Sequence, residues 1–297
     1  MEEILDSLKK IIYRWVNTEI PLINNVSVGD VILDIDNTNR FYPGDVIAIT
    51  DGIEFEFPLV VKGVLDRNKI VIHSGTNFNW NSSNAYVKKS INGQFVQGIY
   101  IGDVSIIPKF PAIVINGKSK TSEWTTLEST TEKYEVSISC YVEQANQEDG
   151  YRTLLKMVKI VEQGLKRNMF PLISSSPSVD VIDSVLTNDQ FLKVESTDGL
   201  LKNHLLVIEG KYNAEDLMIQ EVVDEQIIRV GNVFNNYLLS EAPKIYVLDR
   251  FLYKTWPGSI DFTTVQKDTL LKGATISWSG EEIELQGHIG WMDTPRE

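Results

Sequence analysis

The chain has 297 residues, 42% of them hydrophobic and 23% charged, which is enough apolar material for two or three domains of ordinary size. Its formal charge is −13, which argues against tight nucleic-acid binding, because phosphate contacts need a basic surface. The single cysteine, Cys140, rules out an internal disulfide framework, and no apolar run approaches the length of a membrane span.

The opening residues, MEEILDSLKK, carry charges that break any apolar run, so a secretory signal is not expected. Ile4, Leu5, Leu8, Ile11, Ile12 and Trp15 recur at spacings of three and four, which predicts an amphipathic helix ended by Pro21. From about 30 to 90 the pattern becomes short β segments. Val31, Leu33 and Ile35 alternate with their neighbours. Val46 to Ile49, Leu59 to Val64 and Ile70 to Ile72 follow, punctuated by Pro43-Gly44-Asp45, Asp51-Gly52 and Asp66-Arg67-Asn68-Lys69.

The same grammar returns between 178 and 249, at a spacing of roughly 160 residues. Leu205 to Ile208 matches Val46 to Ile49, and Val222-Val223-Asp224 matches Val64-Leu65-Asp66. Ile227-Ile228 matches Ile70-Val71, and Lys244 to Val247 matches Asn84 to Val87. Four segments in one order at a steady offset predict a duplicated β module.

Outside the repeats, Phe110 to Asn116 predicts a strand and 117–131 a polar connection. Tyr134 to Val142 alternates cleanly as a half-buried strand. A helix follows from Asp149-Gly150, with Leu154, Leu155, Val158, Val161 and Leu165 on its apolar face. Four further strands are expected at Phe251 to Trp256, Ser259 to Val265, Ala274 to Trp278 and Ile283 to Ile289. Pro257-Gly258 and Gly280-Glu281 supply turns between them. The expected fold class is α+β: helices on a mostly antiparallel sheet built from 1–29, 91–177 and 250–297. Two small all-β modules, 30–90 and 178–249, are inserted into it.

Chemistry is sparse. His73, His204 and His288 are scattered with no partner motif, and no HExxH, GxSxG, phosphate-binding loop or GxGxxG occurs. Cys140 lies on the apolar face of a strand, as an inert buried thiol does. Glu281-Glu282 and Glu215-Asp216 are adjacent acids expected in turns or surface loops, where they point to solvent rather than at each other. Asp34, Asp36 and Asn37 lack the glycine and distal glutamate of a calcium loop. The expectation is a non-enzymatic chain with no catalytic residue, cofactor or metal. Trp124, in the polar connection, is a candidate contact residue, and Trp256 and Trp278, within strands, are candidates for core or interface packing.

Two resemblances concern whole segments. Phe41 to Ile72, and more faintly Leu200 to Val230, where Asn203-His204 stands in place of Gly-Asp, resemble β modules of phage structural proteins. The helix at the start, then Pro111-Ala112-Ile113-Val114-Ile115, the 117–131 connection, Tyr134 to Val142 and the Gly150 to Leu165 helix occur in an order similar to tail-terminator and minor tail proteins of tailed bacteriophages. That resemblance implies a homo-oligomeric ring, usually hexameric, which caps the tail tube and joins it to the neck. Tail tube, sheath and neck or connector proteins would be its partners. On the chain's net acidity, DNA would pass through the lumen without specific binding; the ring would be assembled in the host cytoplasm into the virion, away from any membrane. The inserted modules depart from that family, many of whose members are much shorter. A baseplate or head-completion component, or a glycan- or receptor-binding β protein, are the other readings.

Overall fold

The computed structural model describes residues 1–102, 107–124, 130–167, 178–247, 250–263 and 271–284. Its elements in chain order begin with α1 (Glu2–Val16), β1 (Glu19–Pro21), β2 (Ile32–Asp34), β3 (Val46–Thr50), β4 (Phe55–Val64), β5 (Lys69–Ile72), β6 (Tyr86–Lys89) and β7 (Gly98–Ile101). Then come β8 (Ala112–Trp124), β9 (Thr130–Glu143), α2 (Gln147–Arg167), β10 (Val179–Asp180), β11 (Phe191–Lys193), β12 (Leu205–Glu209) and β13 (Ala214–Val222). The rest are β14 (Ile227–Val230), β15 (Lys244–Val247), β16 (Arg250–Thr263) and β17 (Leu271–Glu284).

The α+β expectation is corrected here. Among the described residues the chain is mostly β, with seventeen strands against two α-helices and one short 3-10 turn. The physical reason lies in four long strands that the sequence breaks into shorter pieces. The polar 117–131 stretch is strand over most of its length, belonging to β8 and β9. Its Ser, Thr, Lys and Glu residues pair across the two strands rather than looping out. Ser119 donates to Glu135 at 2.9 Å, Lys120 meets Glu132 at 2.7 Å, and Lys133 meets Glu123 at 3.0 Å. Likewise β16 runs straight through Pro257-Gly258, and β17 through Gly280-Glu281, so neither dipeptide turns the chain. Proline is tolerated there because β16 is an end strand, where one flank needs no donor. Parts of the expected strands, 264–265 and 285–289, lie outside the described residues.

The helices are as amphipathic as their spacing requires. Ile4, Leu8 and Ile12 of α1 are fully buried, and α1 packs against α2 and β7. Gly164 of α2 permits the approach: a Cβ there would stand 2.8 Å from Trp15 Cγ. Along α2 the buried positions are Leu154, Met157, Val158, Val161 and Leu165, whereas Leu155 is 40% exposed.

Two six-stranded sheets have the same order. The first runs β1-β6-β3-β4-β5-β2 and the second β10-β15-β12-β13-β14-β11. Each closes on itself. In the first, Ile23 N–H donates to Asp34 O and Asp36 N–H to Pro21 O, joining the end strands through the Leu22–Ile35 bridge. In the second, Ile182 N–H donates to Lys193 O and Glu195 N–H to Asp180 O, around the Val181–Val194 bridge. Register shifts within β3–β4, β4–β5 and β13–β14 supply the local bends that so small a barrel demands.

The interiors are apolar. Leu33, Ile35, Ile47, Ile49, Val61 and Ile70 fill barrel 1, and Leu192, Val194, Leu206, Ile208, Ile219 and Ile228 fill barrel 2. Barrel 1 begins with Glu19, ahead of the 30–90 stretch.

The chain divides into two compact units. The first, Met1–Ser119 with Tyr134–Met169 and Trp256–Ser279, contains both helices and barrel 1, and the second contains barrel 2.

Candidate functional site

Closure of both barrels leaves one open sheet among the described residues, in the order β16-β17-β9-β8-β7. Its two end strands differ sharply. β7 is four residues long, pairs in parallel with β8 from Gly98↔Ala112 to Ile101↔Ile115, and is packed by α1. β16 has fourteen residues, RFLYKTWPGSIDFT, with three charges and many aromatic or β-branched side chains. Short covered ends resist foreign pairing, whereas a long end strand offers another chain a row of main-chain donors and acceptors, here interrupted at Pro257. β16 is therefore the candidate functional surface.

Within the first unit its portion is well defined. Ser259 Oγ faces Ser277 Oγ of β17 at 3.5 Å, and Ser139 of β9 meets Thr275 of β17 at 2.9 Å, so hydroxyl pairs tie the three strands together. Gly258, Ser259, Asp261 and Phe262 are exposed. Phe262 is 47% exposed and leans on Tyr151 of α2, ring centres 6.0 Å apart.

Of the three tryptophans singled out from the sequence, Trp278 lies in β17 at 2% exposure, so it packs inside the chain and presents no outward face. Trp256 lies in β16 and Trp124 ends β8, and their side chains fall outside the described residues. His288 also lies outside them.

The polar residues that could carry chemistry have structural work instead. Glu215 and Asp216 occupy strand β13, not a loop, so successive side chains point to opposite faces. Glu215 accepts hydrogen bonds from the N–H groups of Phe234 at 2.9 Å and Asn235 at 3.1 Å. Burial raises its pKa against those bonds, and burial together with Glu215 pushes Asp216 up to about 6. Barrel 1 has the same device at the matching position. Glu56, 4% exposed, accepts from Asn77 N–H at 2.6 Å, Asn77 Nδ2 at 3.0 Å and Trp80 Nε1 at 3.0 Å. Each glutamate clips a long loop onto its barrel, and a carboxylate spent on backbone amides is not a free acid or base. The sequence does hold a signal for it: a lone acid inside the apolar run Phe55-Glu56-Phe57-Pro58-Leu59.

His204 is likewise a turn residue. Its Nδ1 accepts from Leu201 N–H at 3.2 Å, just as Asp45 Oδ2 accepts from Tyr42 N–H at 2.7 Å in barrel 1. His73 is exposed, and Cys140 is fully buried with its thiol pushed up to about 12 by burial. Glu281 and Glu282 lie in β17 rather than in a turn. Among the described residues no three His, Cys, Asp or Glu side chains gather into a metal site, and no helix is long and apolar enough to cross a membrane.

No protein-family profile matches the chain, and no curated protein matches it. Among solved structures it is similar over 29% of its length to the tailspike protein gp49 of Pseudomonas phage LKA1, at 21% identity and a TM-score of 0.21. The chain spans 17% of that tailspike. A Eubacterium rectale protein described as secreted aligns with 90% of this chain and 65% of its own, at 9% identity and a TM-score of 0.11. Neither score marks a shared overall fold.

The geometry therefore rests on its own terms. It offers a long end strand in an open sheet, while each barrel closes on itself. That arrangement can pair with another strand. It does not converge polar groups on a substrate.

Proposed function

We propose that this chain is a structural subunit of a tailed-phage particle that assembles with copies of itself through β16. The observation that supports this most is the contrast between β16 and the other strand margins among the described residues. Two barrels close, β7 is short and packed by α1, and β16 is long. Main-chain hydrogen bonds along such an edge give affinity, and the side chains on either face give register. Repetition of one such contact between unlike surfaces closes a ring when its rotation completes a circle.

The specific form of this reading is a ring that ends a tail tube and meets the neck. It rests on the order of helix, Pro111–Ile115 strand, paired long strands and second helix, and not on an α+β core.

Light scattering coupled to gel filtration tests the assembly step. The native chain is expected to form closed oligomers whose population grows with protein concentration. Ser259→Lys with Asp261→Lys places two cations at exposed positions of β16 without touching a core, and should return the chain to monomers with unchanged circular dichroism. A well-folded native chain that stays monomeric, or oligomers indifferent to the two lysines, overturns the proposal. Electron microscopy of the oligomers with tube protein separates a tube-end ring from a baseplate or head-completion role.

A further inference from the structure

A cavity of about 340 Å³ lies in the first unit, between the β6 end of barrel 1 and one face of α2. Barrel 1 contributes Tyr42, Asp45, Lys89 and Asn92, and α2 contributes Lys156, Lys159 and Gln163. The volume is in the range of small-molecule sites. Ile91 and Ile160 give it an apolar part of the wall.

Its charge is opposite to that of the chain as a whole. Asp45 is the one acid in the lining, and it is engaged by Lys89 at 2.6 Å. Lys89 also donates to Arg40 O at 2.8 Å and covers the Tyr42 ring at 5.3 Å, so this ammonium is fixed in place. Lys156 donates to Asn92 Oδ1 at 3.3 Å, a neutral partner. Lys159, one turn further along α2, has no ion pair or side-chain hydrogen bond among the described residues.

The same helix provides an internal comparison. Arg152 pairs with Glu148 and Lys166 with Glu162, each four residues away, as surface cations on a helix commonly do. The positions four residues on either side of Lys156 and Lys159 are Arg152, Ile160, Leu155 and Gln163. None is acidic. In a chain with 41 acidic residues, the two cations of α2 that face the cavity are the ones left without an acidic partner among the helix's described side chains.

The second barrel shows that this chemistry is not required by the barrel itself. The position of Asp45 is taken there by His204, which makes the same turn-closing bond. The register Ile47↔Lys89 in barrel 1 corresponds to Leu206↔Val247 in barrel 2, so Lys89 has an apolar counterpart. A barrel of this order closes without either charge.

We infer that the cavity bounded by Lys89, Lys156, Lys159 and Gln163 is a binding site for a small, multiply charged oxyanion. Phosphate esters and polycarboxylates share that chemistry. Two ammonium groups with free donor capacity and a side-chain amide would hold the anionic head. The apolar wall at Ile91 and Ile160 would take the body of the molecule.

Calorimetric titration of the full chain with glycerol phosphate and, separately, with citrate tests this at an ionic strength fixed by sodium chloride. Saturable binding of at least one probe is expected, weakened about ten-fold or more by Lys156→Gln with Lys159→Gln. Arg152→Gln with Lys166→Gln removes the same charge from the same helix and should leave the affinity unchanged. All four side chains are exposed, so both pairs should fold, and circular dichroism confirms it. Preference for the ester or for citrate assigns the anion class. No saturable binding of either probe, or equal weakening by both pairs of substitutions, overturns the inference.

Discussion

Removing the Glu56 carboxylate is the sharpest test of how the barrels are held together. Its oxygens take three donors, and the one from Trp80 Nε1 lies in the barrel interior. In Glu56→Ala the indole N–H is stranded away from water, while the two Asn77 donors, partly buried, recover some hydration. An orphaned buried donor costs about 1–3 kcal/mol and each lost bond to a charged group somewhat less once rehydrated, for a total of roughly 3–5 kcal/mol. Glu56→Gln keeps one acceptor oxygen but turns an amide N–H₂ toward one donor, which brings the loss to about 1–3 kcal/mol.

Native-state hydrogen exchange read by mass spectrometry suits the question, because barrel 2 serves as a control in the same molecule. Amides of Val46 to Ile72 should exchange roughly 100- to 4,000-fold faster in Glu56→Ala, while those of Leu205 to Val230 stay unchanged, since each 1.4 kcal/mol is a factor of ten. The matching substitution Glu215→Ala should have a smaller effect on barrel 2, because its partner amides sit nearer solvent. Barrel 1 protection within about two-fold of the native value in Glu56→Ala would refute the clip.

Two further outcomes follow from burial and charge. Asp216 has a folded pKa raised above its unfolded value, so its protonated form favours the fold. That contribution is complete below about pH 4 and is lost as pH rises through about 6. Asp216→Asn should therefore stabilise barrel 2 at pH 7.5, by less than about 1 kcal/mol, and leave it unchanged at pH 4; the effect is small because the side chain is exposed on the outer face and water screens most of it. A stabilisation that is equal at both pH values contradicts the linkage. Cys140, fully buried with its thiol pushed up to about 12, should resist iodoacetamide in the native chain and react at the rate set by opening of the open sheet. Prompt labelling at pH 7 would show the β9 core to be accessible.

The local strands were legible because alternation and turn residues are local signals. Val46 to Ile49 and Leu205 to Ile208 stand out in the sequence and lie in β3 and β12. Closure was not legible, since the bonds Ile23 to Asp34 and Ile182 to Lys193 join end strands that no short window relates. Pro257-Gly258 and Gly280-Glu281 are turn-like as dipeptides, so the sequence points to short strands and an α+β class, and only the sheet order reveals that they sit within strands. At the candidate site, the aromatic content of β16 drew attention to Trp256, but its standing as an end strand depends on tertiary pairing. The clip glutamates are hidden from the sequence for a related reason. Their partners, Asn77, Trp80, Phe234 and Asn235, lie about twenty residues downstream, beyond the reach of any periodicity argument.

The way each barrel begins and ends has a consequence for how such a chain arises. Glu19 lies opposite Lys88, and Asp180 opposite Lys244, so the polypeptide enters and leaves each barrel at neighbouring points. A unit of that kind can be spliced into a host at the site of a single tight loop, or copied to a second one, without stretching the host's framework. Its two end strands bond to each other, so the copy brings no open sheet margin with it. Such cassettes can diverge in surface chemistry, as Lys89 and Val247 have, while the strand that would join one subunit to the next keeps its own separate history.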